Sequence, residues 1–258
     1  TNFPLTLVVS NGLTLRGVDW NNTVICFTNF YGLRPEDNTT IEHLSIEVPV
    51  RHGTAVSAPI GLAFAAGTGF TNVLFRNVRV FAFTDNIIIS SGDHIVDASF
   101  YDCTFESSGD LITFDGNSTN HLTFRRCDFL THGPLAPATS VRSLTMSVGT
   151  VSYYDCNIVG TNNGATIKGL EVNGGKAELF NSVINLNCAS GAITDAITLG
   201  GVGAGRVELT GCNKLTNNMS GTIIIYPDFV AGVAPGFGHT TSTSSLSVVT
   251  VSSSFATP

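Results

Sequence analysis

Residues 97–105 read DASFYDCTF, residues 121–129 read HLTFRRCDF and residues 150–158 read TVSYYDCNI. The three segments share one template, in which an aromatic residue, a cysteine and a second large apolar residue hold fixed positions. Looser copies begin at Gly12, Thr40, Thr71, Gly175 and Gly205. Adjacent copies are roughly 24 to 32 residues apart, and a β-branched and aromatic repeat of this length is typical of a stacked solenoid.

Within each copy, apolar and other residues alternate, which indicates a strand with every second side chain turned inward. A two-residue corner precedes the cysteine position, and the alternation then resumes. The inward cysteine position is expected to hold Val18, Ile46, Val78, Cys103, Cys127, Cys156, Ser182 and Cys212. Two residues later comes a large apolar residue, Trp20 in the first copy.

A second strand is expected after each copy, beyond a polar turn. Examples are residues 87–89, 111–114, 143–146, 196–199 and 223–225. Apolar residues at helical spacing are missing. The sequence therefore predicts an all-β fold, a right-handed parallel β-helix of about eight coils with strands about 4.8 Å apart.

Composition excludes several other classes of protein. The chain of 258 residues is 43% hydrophobic and 12% charged, unlike a disordered protein. It has 12 basic and 19 acidic residues and a net charge of −7, which argues against a nucleic-acid partner. No apolar run is long enough for a membrane span. The few lysines and many Thr, Ser and Asn residues favour an extracellular or virion surface as the location.

The repeated coil, with its cysteine column and its Asn and Gly turns, resembles the pectin-lyase-like β-helix superfamily. That superfamily includes pectate lyases, polygalacturonases and phage tailspikes, and the resemblance covers roughly Leu13 to Ile225. It implies the β-helix fold and, by analogy with tailspikes, a homotrimer. The Asp-Asp and Arg-Ile-Lys motifs of polygalacturonases are missing here, so we do not expect polygalacturonase activity.

Two inward positions allow alternative interpretations. The cysteine column is either a buried stack of free thiols or contains a Cys103–Cys127 disulfide, since neighbouring coils lie close enough for one. A zinc site is not expected, because stacked thiols do not converge tetrahedrally. His43 is either a core histidine bonded to the backbone or the sign of a local shift that turns Leu44 inward.

The corner residues are expected to face solvent and to form vertical columns. One corner position carries Arg16 and Arg76 in early copies and Tyr101, Arg125, Tyr154 and Phe180 in later ones. The next carries Asp102, Arg126 and Asp155. One hypothesis is a glycan-binding ridge made of Tyr101, Arg125, Tyr154 and Phe180, because aromatic faces pack on sugar rings while charged neighbours bind hydroxyls. The alternative is a surface charge ladder of alternating sign.

The same ridge holds weak catalytic candidates, which are Asp102, Asp128, Asp155 and Arg126. Asp102 and Asp155 should lie about 9.6 Å apart, two strand spacings, at the upper limit for an inverting glycosidase. Arg126 lies between them and would keep both ionised, whereas a general acid needs a raised pKa. Neither a metal nor a cofactor is expected.

The character of the chain changes near its end. Residues 1–226 are predicted to form the β-helix domain, and residues 227–258 a β-prone tail that caps the helix or associates with another subunit. The leading functional prediction is a surface-exposed protein that binds or structures a polysaccharide or cell-surface glycan. The alternatives are a polysaccharide lyase or glycoside hydrolase acting on the outer face, and a purely structural assembly module.

Overall fold

The structure is a computed structural model. It describes residues 2–3, 7–27, 31–48, 60–64, 70–82, 85–89, 96–107, 111–114, 120–132, 140–146, 149–162, 166–188, 194–199, 205–210, 214–215, 218–226, 240–241 and 246–251. In these ranges the chain forms strands and turns and no helix.

The strands are short and follow one another around the coils. They are β1 (Asn2–Phe3), β2 (Leu7–Val9), β3 (Thr14–Arg16), β4 (Val24–Phe27), β5 (Tyr31–Pro35), β6 (Thr40–Val48), β7 (Ile60–Phe64), β8 (Phe70–Ala82), β9 (Asp85–Ile89), β10 (Val96–Tyr101), β11 (Thr104–Ser107), β12 (Ile112–Phe114), β13 (His121–Arg125), β14 (Asp128–His132), β15 (Ser140–Met146), β16 (Thr150–Tyr154), β17 (Asn157–Asn162), β18 (Thr166–Val172), β19 (Lys176–Phe180), β20 (Val183–Cys188), β21 (Thr194–Leu199), β22 (Arg206–Thr210), β23 (Lys214–Leu215), β24 (Asn218–Tyr226), β25 (Thr240–Thr241) and β26 (Leu246–Val251).

Each strand pairs in parallel with a strand about one repeat further along the chain, which gives three ladders in the described part. The first ladder contains β3, β6, β8, β10, β13, β16, β19, β22, β24 and β26. The second contains β1, β4, β6, β8, β11, β14, β17, β20, β23 and β25. The third contains β2, β5, β7, β9, β12, β15, β18, β21 and β24.

The predicted fold class, an all-β parallel β-solenoid, is confirmed by these ladders. The number of coils differs from the eight copies of the template, because the first ladder continues through β24 and β26 after the last copy. Residues 223–225 were predicted to be a second strand, but they pair with residues 207–209 in the first ladder. The segment lacks the corner that marks the other copies, so its sequence does not show which ladder it joins.

The core is a pile of aromatic rings inside the first ladder. Phe100 stacks on Phe75 at a centroid distance of 4.6 Å and on Phe124 at 4.7 Å, and Phe124 stacks on Tyr153 at 5.4 Å. All four side chains are at most 1% exposed. Phe129 closes the other side of the core with edge contacts to Phe124 and Tyr153. Burying rings of this size and stacking them supplies much of the driving force for folding.

The cysteine column is a stack of free thiols. Cys103, Cys127 and Cys156 are buried and unbridged, so the alternative of a Cys103–Cys127 disulfide is wrong. The thiol of Cys103 donates to the carbonyl of Tyr101 at 3.3 Å, and burial raises the pKa of Cys127. The fourth predicted member, Cys212, lies outside the described residues. The buried thiols behave as small apolar groups, which is how free cysteine usually packs.

The second copy of the template has a different register from the one predicted. Leu44, and not Ile46, pairs with Val78 at the inward position, so the alternative of a local shift is confirmed. His43 lies at the corner with a positive φ of 56°, outside the core. Gly, Pro, Asn, Asp and Ser are the residues that usually mark a turn, so the histidine did not indicate a corner in the sequence.

The first copy is also different. Val18 is 82% exposed and Trp20 is 37% exposed, so neither fills the predicted inward position. Asp19 holds an extra turn here, since its carboxylate accepts hydrogen bonds from the backbone of Asn21 and Asn22 at 2.8 Å. The strand resumes only after this turn, and Ile25 then takes the inward place beside Ile46.

The tail contributes two described strands. The strands β25 and β26 pair in parallel with β23 and β24, which lengthens the second and first ladders. The division at residue 226 and the role of the tail as a cap or an association segment stay predictions.

Candidate functional site

The corner between the first and second ladders is built from residues in the left-handed conformation. They have φ between 48° and 56° and form a vertical turn column of His43, Asn77, Asp102, Arg126, Asp155 and Asn181. The N–H of such a residue donates to a carbonyl in the next coil, as from Asp102 to Arg125 and from Arg126 to Tyr154. The coil can therefore turn without losing a backbone hydrogen bond, which is the requirement for a buried backbone.

The outward residue just before each turn forms a second column, here named the corner column. Its members are consecutive Cα partners in the first ladder: Arg16, Glu42, Arg76, Tyr101, Arg125, Tyr154 and Phe180. The vertical alignment predicted for Tyr101, Arg125, Tyr154 and Phe180 is confirmed by this register. Their binding of a glycan stays a prediction.

The C-terminal half of the corner column is an aromatic stack of Arg125, Tyr154 and Phe180. The guanidinium of Arg125 lies 4.2 Å from the ring centroid of Tyr154. On the other side, Tyr154 stacks on Phe180 with centroids 4.4 Å apart and planes within 5°. Both faces of the Tyr154 ring are therefore covered by neighbours in the adjacent coils. A sugar that approached from solvent would meet ring edges there.

The N-terminal half of the corner column opens into a cleft of about 690 Å³, here named the corner cleft. The cleft is lined by Arg16, Glu42, His43, Arg76, Asn77 and Tyr101. The pair Asp102 and Arg126 completes the lining. Tyr101 is thus the one member of the predicted glycan-binding set that lines the cleft, and it has no ring partner among the residues that the structure describes.

Most charges in the cleft have partners. Arg16 lies 3.4 Å from the carboxylate of Glu42, and Asn77 lies 3.0 Å from Nδ1 of His43. Arg76 is different: within the described ranges its side chain makes no hydrogen bond and no ion pair. Its Cα partners are Glu42 in one neighbouring coil and Tyr101 in the other, which places it in the middle of the lining.

Asp102 and Arg126 form a two-point ion pair. Arg126 donates from Nε at 2.6 Å and from Nη2 at 2.9 Å to the two carboxylate oxygens of Asp102. These hydrogen bonds lower the pKa of Asp102, and the same contact raises the pKa of Arg126. Asp102 is therefore held ionised, which is unfavourable for a general acid.

Two catalytic candidates remain, Asp155 and Asp128, and the charge of Asp155 adds to the raised pKa of Arg126. Asp155 follows Arg126 in the turn column. Asp128 lies across the corner at the start of β14, where its carboxylate accepts a hydrogen bond of 3.4 Å from Asn157. No group of three potential metal ligands occurs in the described part of the chain.

A second charged cluster lies on the outward face of the first ladder. Lys176 contacts both Glu178 and Glu208, and Arg206 contacts Glu208. The hydroxyl of Ser152 donates to Glu178 at 2.6 Å. Each acid here is paired with a base, so the cluster has the features of a stabilising surface ladder.

Sequence reasoning missed two cleft residues, Glu42 and His43, because the second copy was aligned two residues out of register. Arg16 and Arg76 were placed correctly at the corner but were given no role. The signal that could have found the cleft is the alternation of charge, Arg16, Glu42, Arg76, that appears once Leu44 is set inward.

Comparisons with known proteins do not identify a family for this chain. No family model matches the chain, and no curated relative matches it. It is similar to the solved catalytic unit of a thermostable GH87 alpha-1,3-glucanase from Streptomyces thermodiastaticus strain HF3-3, with 11% identity and a TM-score of 0.38. The match covers 96% of this chain and 62% of that one, so the chain spans less than two thirds of the glucanase unit.

No helix in the described ranges is long and apolar enough to cross a membrane.

Proposed function

We propose that the protein binds a glycan in the corner cleft, and that it acts as a binding or structural β-helix protein. The observation that carries the proposal is the cleft itself, which has a volume of about 690 Å³ and is lined by several polar groups and by Tyr101, an aromatic residue with no ring partner among the described residues. Concave sites with one apolar surface and a few convergent polar groups are the usual form of small-ligand sites. Sugars need both, since they have apolar ring faces and polar edges.

Tyr101 has the central role in this proposal. It lies between Arg76 and Arg125 in the corner column, where the cleft meets the aromatic stack. We assign the sugar face to Tyr101, because the faces of Tyr154 are taken by Arg125 and Phe180. Asn77 and the Asp102–Arg126 pair would then offer hydrogen bonds to the hydroxyl groups.

Several finer points belong to the same proposal. Membership of the pectin-lyase-like superfamily is supported by the cysteine column and by the turn column. An extracellular or virion location and a homotrimeric assembly fit a tailspike-like binder, with the tail as association segment. The partner would be a polysaccharide or cell-surface glycan.

Lyase or hydrolase chemistry on the same corner is the alternative function. It is weaker because Asp102 is held ionised by Arg126, so a proton donor would have to be found elsewhere. A purely structural module is the other alternative, in which the corner contacts a neighbouring subunit.

A panel of neutral and acidic oligosaccharides tests the proposal, with binding followed by calorimetry. Replacement of Tyr101 by Ala should weaken the binding of the best ligand by roughly 3- to 10-fold, which corresponds to the free energy of one aromatic contact. The matched control is Tyr154→Ala, an aromatic residue of the same column that should leave the affinity unchanged. New reducing ends or unsaturated uronate absorbance would favour the enzyme instead. Equal losses in both variants, or no binding by the parent, would overturn the proposal.

A further inference from the structure

The first coil of the solenoid has nothing stacked on its outer side among the described residues. Its strands β1, β2 and β3 each pair with one strand only, which is β4, β5 or β6. The inward columns end in the same coil, where Leu7 is the Cα partner of Leu33 and Leu15 is that of Ile41. Leu33 and Ile41 are fully buried, whereas the two terminal leucines are only partly buried. This end of the molecule therefore exposes strand edges together with the end of the core.

The same coil and the turn after it are unusually apolar on the surface. They contain the large apolar side chains that are exposed in the described ranges, which are Val8, Leu13, Val18, Trp20 and Val24. Leu13, which precedes β3, is 55% exposed. A solenoid usually ends in a coil with a polar outer face, which keeps the end soluble. An apolar end favours contact with another protein surface instead.

The opposite end of the solenoid has a matching surface. The last strand of the first ladder, β26, pairs only with β24, and the last strand of the second ladder, β25, pairs only with β23. The same two ladders begin with β3 and β1 at the first coil. Strands pair in parallel from each coil to the next, so the free edges of β26 and β25 have the direction and the order that β3 and β1 can accept.

Charge does not oppose contact between the two ends. Residues 7–24 contain one base and one acid, Arg16 and Asp19, and residues 227–258 contain Asp228 as their only charged residue. These two segments together carry −1 of the net charge of −7. Two copies that meet end to end therefore bring together segments of almost no net charge, which avoids the repulsion expected between acidic surfaces.

We propose that the first coil of one copy binds the last strands of a second copy, so that chains stack end to end along the solenoid axis. β26 of one copy pairs with β3 of the next, and β25 pairs with β1, which continues the first and second ladders across the contact. The partner is a second copy of this chain because its terminal strands match the first coil in direction and order. This goes beyond glycan binding, since the contact lies at the ends of the solenoid and not at the corner cleft.

Sedimentation velocity of the full chain from micromolar to near-millimolar concentration tests the proposal. The two contacting surfaces differ, so the assembly has no closed end and its mean mass should rise continuously with concentration. Electron microscopy should show rods of constant width and variable length. A mass that does not change with concentration, whether of one chain or of a trimer, would overturn the proposal. A mass that stops rising at twice that unit would also overturn it, because it would indicate a symmetric contact between two first coils.

Leu13→Lys tests the apolar part of the contact. A charge buried there without a partner should weaken association by roughly 10-fold or more. The matched control is His121→Lys, which adds the same charge at an exposed position within the first ladder and should leave association unchanged. Equal losses in both variants would contradict an end-to-end contact. Glycan binding by Leu13→Lys should be that of the parent, since Leu13 does not line the corner cleft, so the two proposals can fail separately.

Thr14→Pro tests the strand edge. The carbonyl of Leu13 accepts a hydrogen bond from Thr40, and the N–H of Gly17 donates to Glu42. Backbone groups alternate in direction along a strand, so the N–H of Thr14 points to the free edge of β3. Proline removes that donor and is tolerated on edge strands, so stacking should weaken by roughly 3- to 10-fold in a chain that still folds. Stacking as strong as that of the parent would exclude pairing through β3 and overturn the proposal.

Discussion

The two halves of the corner column have the same backbone but different surfaces. In the C-terminal half, Arg125, Tyr154 and Phe180 cover one another at distances of 4.2 and 4.4 Å. In the N-terminal half, Arg16 pairs with Glu42, and Arg76 is left beside a cleft of about 690 Å³. The same register therefore gives two different surfaces. In the C-terminal half the side chains cover one another, whereas in the N-terminal half Arg76 has no side-chain partner among the described residues.

The difference teaches that alignment on a solenoid surface is not by itself a binding site. Stacked side chains about 4.8 Å apart can satisfy each other along the axis, in which case their faces are lost to a ligand. A ligand can bind only where neighbouring side chains do not already cover one another. In the corner column this is the part between Glu42 and Tyr101, which precedes the aromatic stack.

The largest expected effect comes from the aromatic pile inside the first ladder, beneath the corner. Phe124 is fully buried between Phe100 and Tyr153. Phe124→Ala should lower the free energy of unfolding by about 3–5 kcal/mol, through lost burial and a residual cavity. Urea denaturation measures the change.

The control for that variant is Val18→Ala, since Val18 is 82% exposed. It should change stability by less than about 0.5 kcal/mol. A loss below about 1 kcal/mol for Phe124→Ala would mean that the core is not the rigid pile of rings from which the corner is built.

A smaller effect distinguishes the aromatic stack from the cleft. Tyr154 and Phe180 should couple by about 0.5–1.5 kcal/mol in a double-mutant cycle of alanine variants, because their rings stack within 5°. The same cycle between Tyr101 and Phe180, which are three ladder steps apart, should give no coupling. Coupling in the second cycle would show that the two halves act as one surface.

The smallest effect is expected at the ion pair where the halves meet. Asp102→Asn should lower stability only slightly, because both side chains are more than half exposed and water screens the pair. The folded pKa of Asp102 is lowered, so its contribution is present above the ordinary value of 3.8 and is lost as pH falls through the folded pKa. Thermal unfolding at neutral pH and near pH 2 tests this. A difference between parent and variant that is larger at low pH would contradict it.

Much of the fold was predictable because the repeated template shows which residues of successive coils are equivalent and therefore pair. The residues at Cys103, Cys127 and Cys156 are buried and stacked as expected, and the aromatic residues three positions earlier form the pile of rings. An inward position must be apolar or small and of a size that the neighbouring coils can accept. This constraint is visible in the sequence only in those copies whose corner residues are typical.

The first two copies were mispredicted for local reasons. At His43 the left-handed turn is made by a residue that seldom marks one, and at Asp19 an inserted turn displaces the strand. Gly17 adds a third hidden constraint, because a Cβ there would lie 2.2 Å from the carbonyl oxygen of His43. Such close approaches depend on the neighbouring coil and cannot be read from one copy alone.

The sequence predicted the corner column but not which of its residues line the cleft. Sequence reasoning found the corner column and its aromatic members, since these follow from register. It could not tell that Tyr154 is covered on both faces while Tyr101 lines a cleft, because that depends on the side-chain directions of Arg125 and Phe180. Nor could it show that Arg76 has no ion pair among the described residues while Arg16 and Arg126 do, because the ion pairs are known only from the structure.

A crystal structure of the protein with its best-binding oligosaccharide tests the central claim most directly. The account predicts a sugar ring on Tyr101 and its hydroxyl groups near Asn77 and the Asp102–Arg126 pair, with the aromatic stack unchanged. A ligand seated on the edges of Tyr154 and Phe180, or on the outer face beside Lys176, would contradict it.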